Sequence, residues 1–416
     1  MSQSRERLDE HFFRHEYGHL VTMLSRKVGI EHMALIEDAV QHSLLKALEL
    51  WPRKHPQQPR AWLYRVACNA FIDEYRKHKL LESFDDHATV LGELSTEQST
   101  FVSDDDFLHM MFICCDSDVP KLSRLVICLK VLCGFSVSEI AKRLFLSESN
   151  VHKRYQRALK VFRLKSAKVN QQGFELTHLS SERLESTLSV LYLMFTEGYL
   201  SHSEDYAIRY DLCEESIRLL TLLSKTKLKN RESINALLAL MTLNLARMDS
   251  RQNQLGELLL LEEQDRTLWN ADLIQQGFFY LSLSAQGDQL SRYHLEAAIA
   301  AEHCRASTFA STQWQTICQY YEQLEKTVSS YYYRLNRVLA LAEWKGAEQG
   351  LALLDEDQAP TWIKDSYLWF VVAADLNARC GKIDKASALF SLALQKAPTE
   401  PVRKFILRRC KRYEIE

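Results

Sequence analysis

Between Lys142 and Lys168 the chain carries nine Lys or Arg (142, 143, 153, 154, 157, 160, 163, 165 and 168) against one acid, Glu148, a balance of nine minus one, or +8. Cations on successive helical turns neutralise phosphates, and Arg, Lys and Gln among them can hydrogen-bond to base edges. The chemistry on offer is binding of a polyanion rather than bond-making. The residues in front of this stretch predict its support. Leu125, Ile127, Leu129 and Leu132 lead into Ser136, an N-cap, with Glu139 three residues on as the return partner of a capping box. A short helix follows with Ile140, Ala141 and Leu144 on one face. Ser147, Glu148, Ser149 and Asn150 make a polar turn, and a second helix is expected from near Val151. Ala141 is small enough for two helices to cross closely, and Val151 is the apolar plug of the second. This is the pattern of a helix-turn-helix, whose second helix enters a major groove. The alternative is a solvated charged helix in a helical repeat.

A second set of polar residues lies upstream. Residues 11–50 predict one or two amphipathic helices, one with Leu20, Met23, Leu24 and Val28, the next with Leu35, Ile36, Ala39, Val40, Leu44, Leu45 and Leu48. Glu37, Asp38 and Gln41 are expected on one surface of the latter, three and four residues apart. A Pro-rich basic loop, residues 51–60, separates it from a third helix over 61–79, apolar at Leu63, Val66, Ala67, Ala70 and Phe71 and basic at its far end.

Composition bounds the whole. In 416 residues there are 12 Gly and 7 Pro, well below the usual share, so few breakers interrupt a chain expected to be all-α. The 10 Cys form no CxxC pair and no metal-like cluster, which suits small buried hydrophobes in a reducing compartment. The start has no apolar signal core, and no run approaches the ~20 apolar residues of a membrane span, so a soluble cytoplasmic protein is expected. No Gly-rich phosphate loop, nucleophile elbow or metal-ligand spacing is present, so no cofactor, metal site or enzymatic role is expected. Glu197, His202, Glu204 and Asp205 near a Gly are the one group a hydrolase could use.

Domain organisation follows the charge. Residues 80–119 hold ten acids and no Lys or Arg, much of it an anionic linker, with Phe107–Cys115 apolar enough to open the next domain. The expected order is 1–80 helical, 81–106 linker, 107–168 helix-turn-helix, 169–182 linker, and 183–416 a helical repeat domain. Near the C-terminus Gly381, Ala386, Phe390, Ala393 and Pro398 fall at offsets of 5, 4, 3 and 5, those of a tetratricopeptide (TPR) repeat. Other helix pairs lack a clean period, so the array is read as TPR-like and degenerate.

These motifs resemble a known family. Residues 36–50 resemble region 2.2 of sigma-70 family factors, 59–79 resemble regions 2.3 and 2.4, and the helix-turn-helix resembles region 4.2. The joining of only regions 2 and 4 by an acidic linker resembles the extracytoplasmic-function class. Segments 192–199, 211–219, 294–301, 314–324 and 334–343, with the TPR-like end, resemble its subgroup carrying a long C-terminal helical extension. Phe145 departs from the pattern, standing where many such turns have Gly.

The resemblance implies a sigma factor that binds core RNA polymerase, at the β′ clamp and β flap, and directs initiation at promoter DNA. Glu37, Asp38 and Gln41 would then dock on polymerase. Arg53, Lys54, Gln57, Gln58 and Arg60 would surround a base extruded from the −10 element, beside Asn69. Arg65, Arg76, Lys77 and Lys79 would meet phosphates. Trp62 stands between core residue and DNA-facing platform, and Tyr64 is equally open. His152, Lys153, Arg154, Gln156 and Arg157 would read the −35 element. The extension would set activity in cis or dock a regulatory protein or peptide, with Tyr192, Phe195, Tyr199 and Tyr331–Tyr333 in a groove or in the core. The competing reading is a helix-turn-helix regulator with a TPR-like sensor arm acting without polymerase, which leaves 36–79 without a role.

Overall fold

Helices account for nearly all ordered secondary structure in the computed structural model, which describes residues 2–79, 104–144, 146–169, 181–199, 208–226, 231–328, 330–356 and 359–415. Phe145 and most of both expected linkers lie outside the described residues. The chain divides into two compact units, residues 1–194 with 225–228, and residues 195–224 with 229–416. The β pairing found among the described residues is one isolated bridge, Gln252 to Leu258. No helix there is long and apolar enough to cross a membrane.

In the first unit, helix α1 (Ser2–Val28) ends where Gly29 takes a positive φ, and α2 (Met33–Leu50) follows one 3-10 turn later. Helix α3 (Pro59–Lys79) starts two residues earlier than expected, with Pro59 in its first turn, where a missing N–H costs nothing. Helix α4 (Asp104–Cys114) takes its first turn from the acidic run 104–106, which sequence reading placed in the linker. Carboxylates at a helix N-terminus are favoured by its dipole. Helix α5 (Lys121–Ile127) runs on into a π-helical turn, Cys128–Leu132. Then come α6 (Val137–Leu144) and α7 (Glu148–Val169), the expected helix-turn-helix.

The helix α8 (Ser181–Tyr199) opens the segment assigned to the C-terminal domain, yet its residues through Met194 belong to the first unit. Arg183 pairs with buried Asp116 at 2.6 Å, and Ser186 Oγ donates to the Cys115 carbonyl at 2.6 Å while receiving a bond from Arg124. Cys133 Sγ meets Met194 Sδ at 3.6 Å. Helix α8 is therefore part of the wall around α4 and α5.

The centre of the first unit is polar. Glu37 of α2 is buried, and its carboxylate takes three donors from three other elements. Tyr17 of α1 donates to Oε1 at 3.1 Å, Tyr155 of α7 donates to Oε2 at 2.6 Å, and Lys130 of the π-helical turn stands 3.0 Å from Oε1. The Lys130 ammonium also lies 5.3 Å from the centre of the Tyr155 ring. The backbones close in around this group: a Cβ at Gly18 would collide with the Leu132 carbonyl.

In the second unit, α9 (Tyr210–Ser224), α10 (Arg231–Leu245), α11 (Ala271–Ser284) and α12 (Arg292–Arg305) pack with α10 at the centre. Every residue from Ala236 to Leu243 is buried, as an all-round apolar helix requires. Helices α13 (Trp314–Thr327), α14 (Tyr331–Lys345) and α15 (Ala347–Asp355) extend the stack. After the short α16 (Thr361–Lys364), α17 (Tyr367–Arg379), α18 (Ile383–Gln395) and α19 (Glu400–Arg412) complete it. The turn between α17 and α18 forms as its spacing predicts. Gly381 adopts φ +75°, and Lys382 N–H reaches back to the Asn377 carbonyl at 2.9 Å in a Schellman closure. Ala386, Phe390 and Ala393 are buried together behind it.

Removing one partner of the Glu37 group tests its weight. Glu37→Gln leaves Lys130 buried opposite a neutral amide and is expected to cost about 3–5 kcal/mol of unfolding free energy. Tyr155→Phe loses one bond to a charged acceptor, about 1.5–3 kcal/mol. Burial, reinforced by Glu37, holds the Tyr155 hydroxyl above its ordinary value of 10.0. Its contribution is therefore full below the unfolded value and declines as pH rises above it. Denaturant unfolding from neutral to alkaline pH should show wild type and Tyr155→Phe converging above about pH 10.

Candidate nucleic-acid interface

The helix-turn-helix is built by its two caps. Ser136 Oγ accepts from the Glu139 amide at 3.2 Å, and Glu139 Oε2 accepts from the Ser136 amide at 2.8 Å, the reciprocal box its spacing predicts. Ser147 caps α7 in turn, its Oγ accepting from the Asn150 amide at 3.2 Å. That cap starts α7 at Glu148, three residues before the expected Val151. Val151, Tyr155, Ala158, Leu159 and Phe162 are buried along one side. The opposite side presents His152, Lys153, Gln156, Arg157, Lys160 and Arg163 to solvent. Four cations at 153, 157, 160 and 163 thus share a stripe with no acid paired to them among the described residues. Arg154 differs: it is half-buried, and its Nε is shielded without a partner. A groove-reading surface would rest on His152, Lys153, Gln156 and Arg157.

The second basic surface comes from the loop after α2 and from α3. Arg53 and Lys54 are exposed in the loop, as are Gln57 and Gln58. Arg65, Asn69 and Arg76 are exposed along α3, with Asp73 among them. Two expected contacts already have carboxylate partners. Arg60 Nε donates to Glu16 at 2.8 Å while the side chain stays about half exposed, and Lys77 pairs with Glu74 at 3.0 Å. Burial raises the Glu16 carboxyl and the Arg60 charge pulls it back down. Lys79 lies on α3, and its side chain falls outside the described residues. Trp62, which sequence left open, is half-buried and meets Trp51 edge-on with ring centres 5.7 Å apart. Trp51 also stacks with Phe13 at 5.7 Å and approaches His55 at 5.0 Å, so an aromatic cluster floors the loop. Tyr64 is a core residue under the Lys27 ammonium.

On α2 the expected trio separates. Asp38 and Gln41 are exposed, but Glu37 points inward to Tyr17, Tyr155 and Lys130, so it is not a surface residue here. Periodicity assigned Leu45 and Leu48 to the core, whereas they are 60% and 55% exposed. Asp38, Gln41, Leu45 and Leu48, at steps of 3, 4 and 3, form one outward stripe of acidic, amide and apolar groups. The signal was in the spacing: Ile36, Val40, Ser43 and Ala47 form the buried stripe and exclude 45 and 48 from it. Of the hydrolase-like group, His202, Glu204 and Asp205 lie outside the described residues.

Comparison with known proteins agrees with this geometry. Residues 12–80 match the family described as Sigma-70 region 2, and residues 113–161 match Sigma-70, region 4. Residues 183–285 match a family of unknown function, DUF6596. The chain is 31% identical over 338 residues to an uncharacterized protein of Rhizobium meliloti (strain 1021), spanning 78% of this chain and 77% of that protein. No solved structure matches. Region 2 covers the helices bearing the α2 stripe and the loop–α3 surface, and region 4 covers the capped helix-turn-helix, domains that imply binding of core RNA polymerase and promoter DNA. On these matches, in this order, the chain belongs to the sigma-70 family.

Proposed function

We propose that the protein is a sigma factor of the extracytoplasmic-function type whose C-terminal helical domain sets its activity. The observation that carries the promoter role is the stripe on α7, where cations and hydrogen-bonding side chains face solvent over an apolar inner face. Lys153, Gln156 and Arg157 read the −35 element with His152, and Arg53, Lys54, Arg65, Asn69 and Arg76 engage the −10 strand over the Trp51–Trp62 floor. The stripe Asp38, Gln41, Leu45 and Leu48 docks on the β′ clamp, where a carboxylate meets a guanidinium and two leucines bury apolar area. The flap of the β subunit takes region 4. No bond-making role is assigned.

Control in cis is supported by α8. The first helix of the DUF6596 segment contributes Arg183 and Ser186 to the region 4 wall, so region 4 is bonded to the beginning of the extension. The remaining helices provide the array on which a regulatory protein or peptide would act.

Three measurements test this. Asp38→Arg should weaken competitive binding to core polymerase by tenfold or more, with promoter contacts in α7 untouched; undiminished binding would remove α2 from the docking surface. Arg157→Ala should weaken promoter binding by about 1–3 kcal/mol if it reads a base, or lower the salt dependence by about one counterion if it meets phosphate. Truncation after Tyr199, which keeps α8, should change the transcription level from the cognate promoter; an unchanged level would sink the regulatory role.

A further inference from the structure

A group of cations in the second unit, one buried and two half-buried, has no anionic partner among the described residues. Arg247, at the entry to the 3-10 turn Met248–Arg251, is only 7% exposed, and its Nε has no hydrogen-bond partner. Its guanidinium lies 5.2 Å from the centre of the Trp269 ring, and that of Arg266 lies 4.5 Å from the same ring. Arg266 donates from Nη1 to the carbonyls of His303 and Ala306, while its Nη2 is buried and unpartnered. The Nδ1 of His303 is likewise buried without a partner. Arg251 lies close by, its guanidinium 3.6 Å from the Tyr199 ring centre and donating to the Tyr199 carbonyl.

The local scaffold holds these groups in place. Ser250 Oγ donates to the Arg247 carbonyl at 2.8 Å and accepts from Trp269 Nε1 at 2.7 Å, tying this turn to the end of a second 3-10 turn, Arg266–Leu268. The carboxylates nearest along the chain are engaged elsewhere. Asp249 accepts from the Tyr210 hydroxyl, Asp265 from the Thr267 amide and hydroxyl, and Glu302 from Arg305. Burial together with Arg247 and Arg266 pushes the His303 ring down to about 3, so at neutral pH the imidazole is uncharged. Burial and Arg247 also lower Arg266 and Arg251. A buried guanidinium with like charges beside it is expensive unless an anion joins them. The idle donors are those an oxyanion accepts: guanidinium N–H groups and a ring nitrogen.

We propose that Arg247, Arg266 and His303, over the Trp269 indole, form a binding site for a small-molecule oxyanion, a phosphoryl or carboxylate group. Two guanidinium charges on one indole ring match a phosphate dianion, with the neutral imidazole as a further hydrogen-bonding group. The site belongs to the C-terminal unit and stands independently of the promoter reading. It gives that unit a ligand class of its own.

The test is calorimetric titration of the desalted full-length chain with inorganic phosphate, with unfolding temperature followed in parallel at constant ionic strength in chloride. Saturable one-to-one binding and an unfolding temperature that climbs with phosphate concentration are expected. Arg247→Gln should weaken that binding at least tenfold, and Arg247→Lys, which keeps the charge but not the planar fork, should weaken it less. Citrate and acetate form the second arm: binding of these without phosphate would support the site and assign it to carboxylates. Absence of both binding and any shift with all three anions in the wild-type chain overturns the proposal, as does phosphate binding unaltered in Arg247→Gln. The wild-type titration decides the matter even where a variant fails to fold.

Discussion

A carboxylate removed from water must be met by donors on every side, and Glu37 is met by donors from three directions. This requirement organises the first unit. Tyr17, Lys130 and Tyr155 each reach it from a separate element, so α1, the π-helical turn and α7 are fixed against α2 by one charge. Apolar packing alone is tolerant of small shifts, whereas three hydrogen bonds to two oxygens are not. Fixing α2 in this way orients what lies on its other side. With Glu37, Val40 and Ala47 turned inward, Asp38, Gln41, Leu45 and Leu48 have only the solvent face left.

The same sorting of charge governs the basic surfaces. On α7 the cations have no acid paired to them among the described residues and face outward, available to phosphates. On α3 Arg60 is paired with the buried Glu16, and Lys77 with Glu74 on the helix surface. Arg60 therefore serves first as the counter-charge that lets Glu16 be buried. Surface cations flanked by their own carboxylates are weaker phosphate ligands than those standing alone, because the pair must be parted before counterions can be released. The helix-turn-helix is the cleaner of the two electrostatic footprints.

Local chemistry was legible in the chain, and long-range pairing was not. Ser136 with Glu139 and the Gly381 turn were readable because each is closed by residues within a few positions of itself. The start of α7 shifted by three residues because Ser147, read as part of the turn, is its cap. Glu37 misled because a carboxylate on an amphipathic helix is ordinarily solvated, and its partners lie 20, 93 and 118 positions away, beyond any periodicity. Leu45 and Leu48 misled in the opposite sense, since apolar character places a side chain in a core only when the helix turns it there. The role of α8 was hidden for the same reason as that of Glu37: Arg183 and Asp116 are 67 residues apart.

Glu37 and Arg247 show the two ways in which a buried charge can be answered. Around Glu37 the protein supplies an ammonium and two phenols, and both oxygens are met; that site is closed and its role is to hold the fold. Around Arg247 the neighbours are Arg251, Arg266 and a neutral His303, and the nearest acids along the chain serve other donors. Stability alone would favour an apolar side chain in that position, which would remove the desolvation cost without needing a partner. A guanidinium retained there, over the Trp269 ring and with an idle N–H near a second guanidinium, suits an acceptor that arrives from outside the chain. The first charge makes a scaffold and the second makes a receptor, and the difference between them lies in what the surrounding side chains leave unsatisfied.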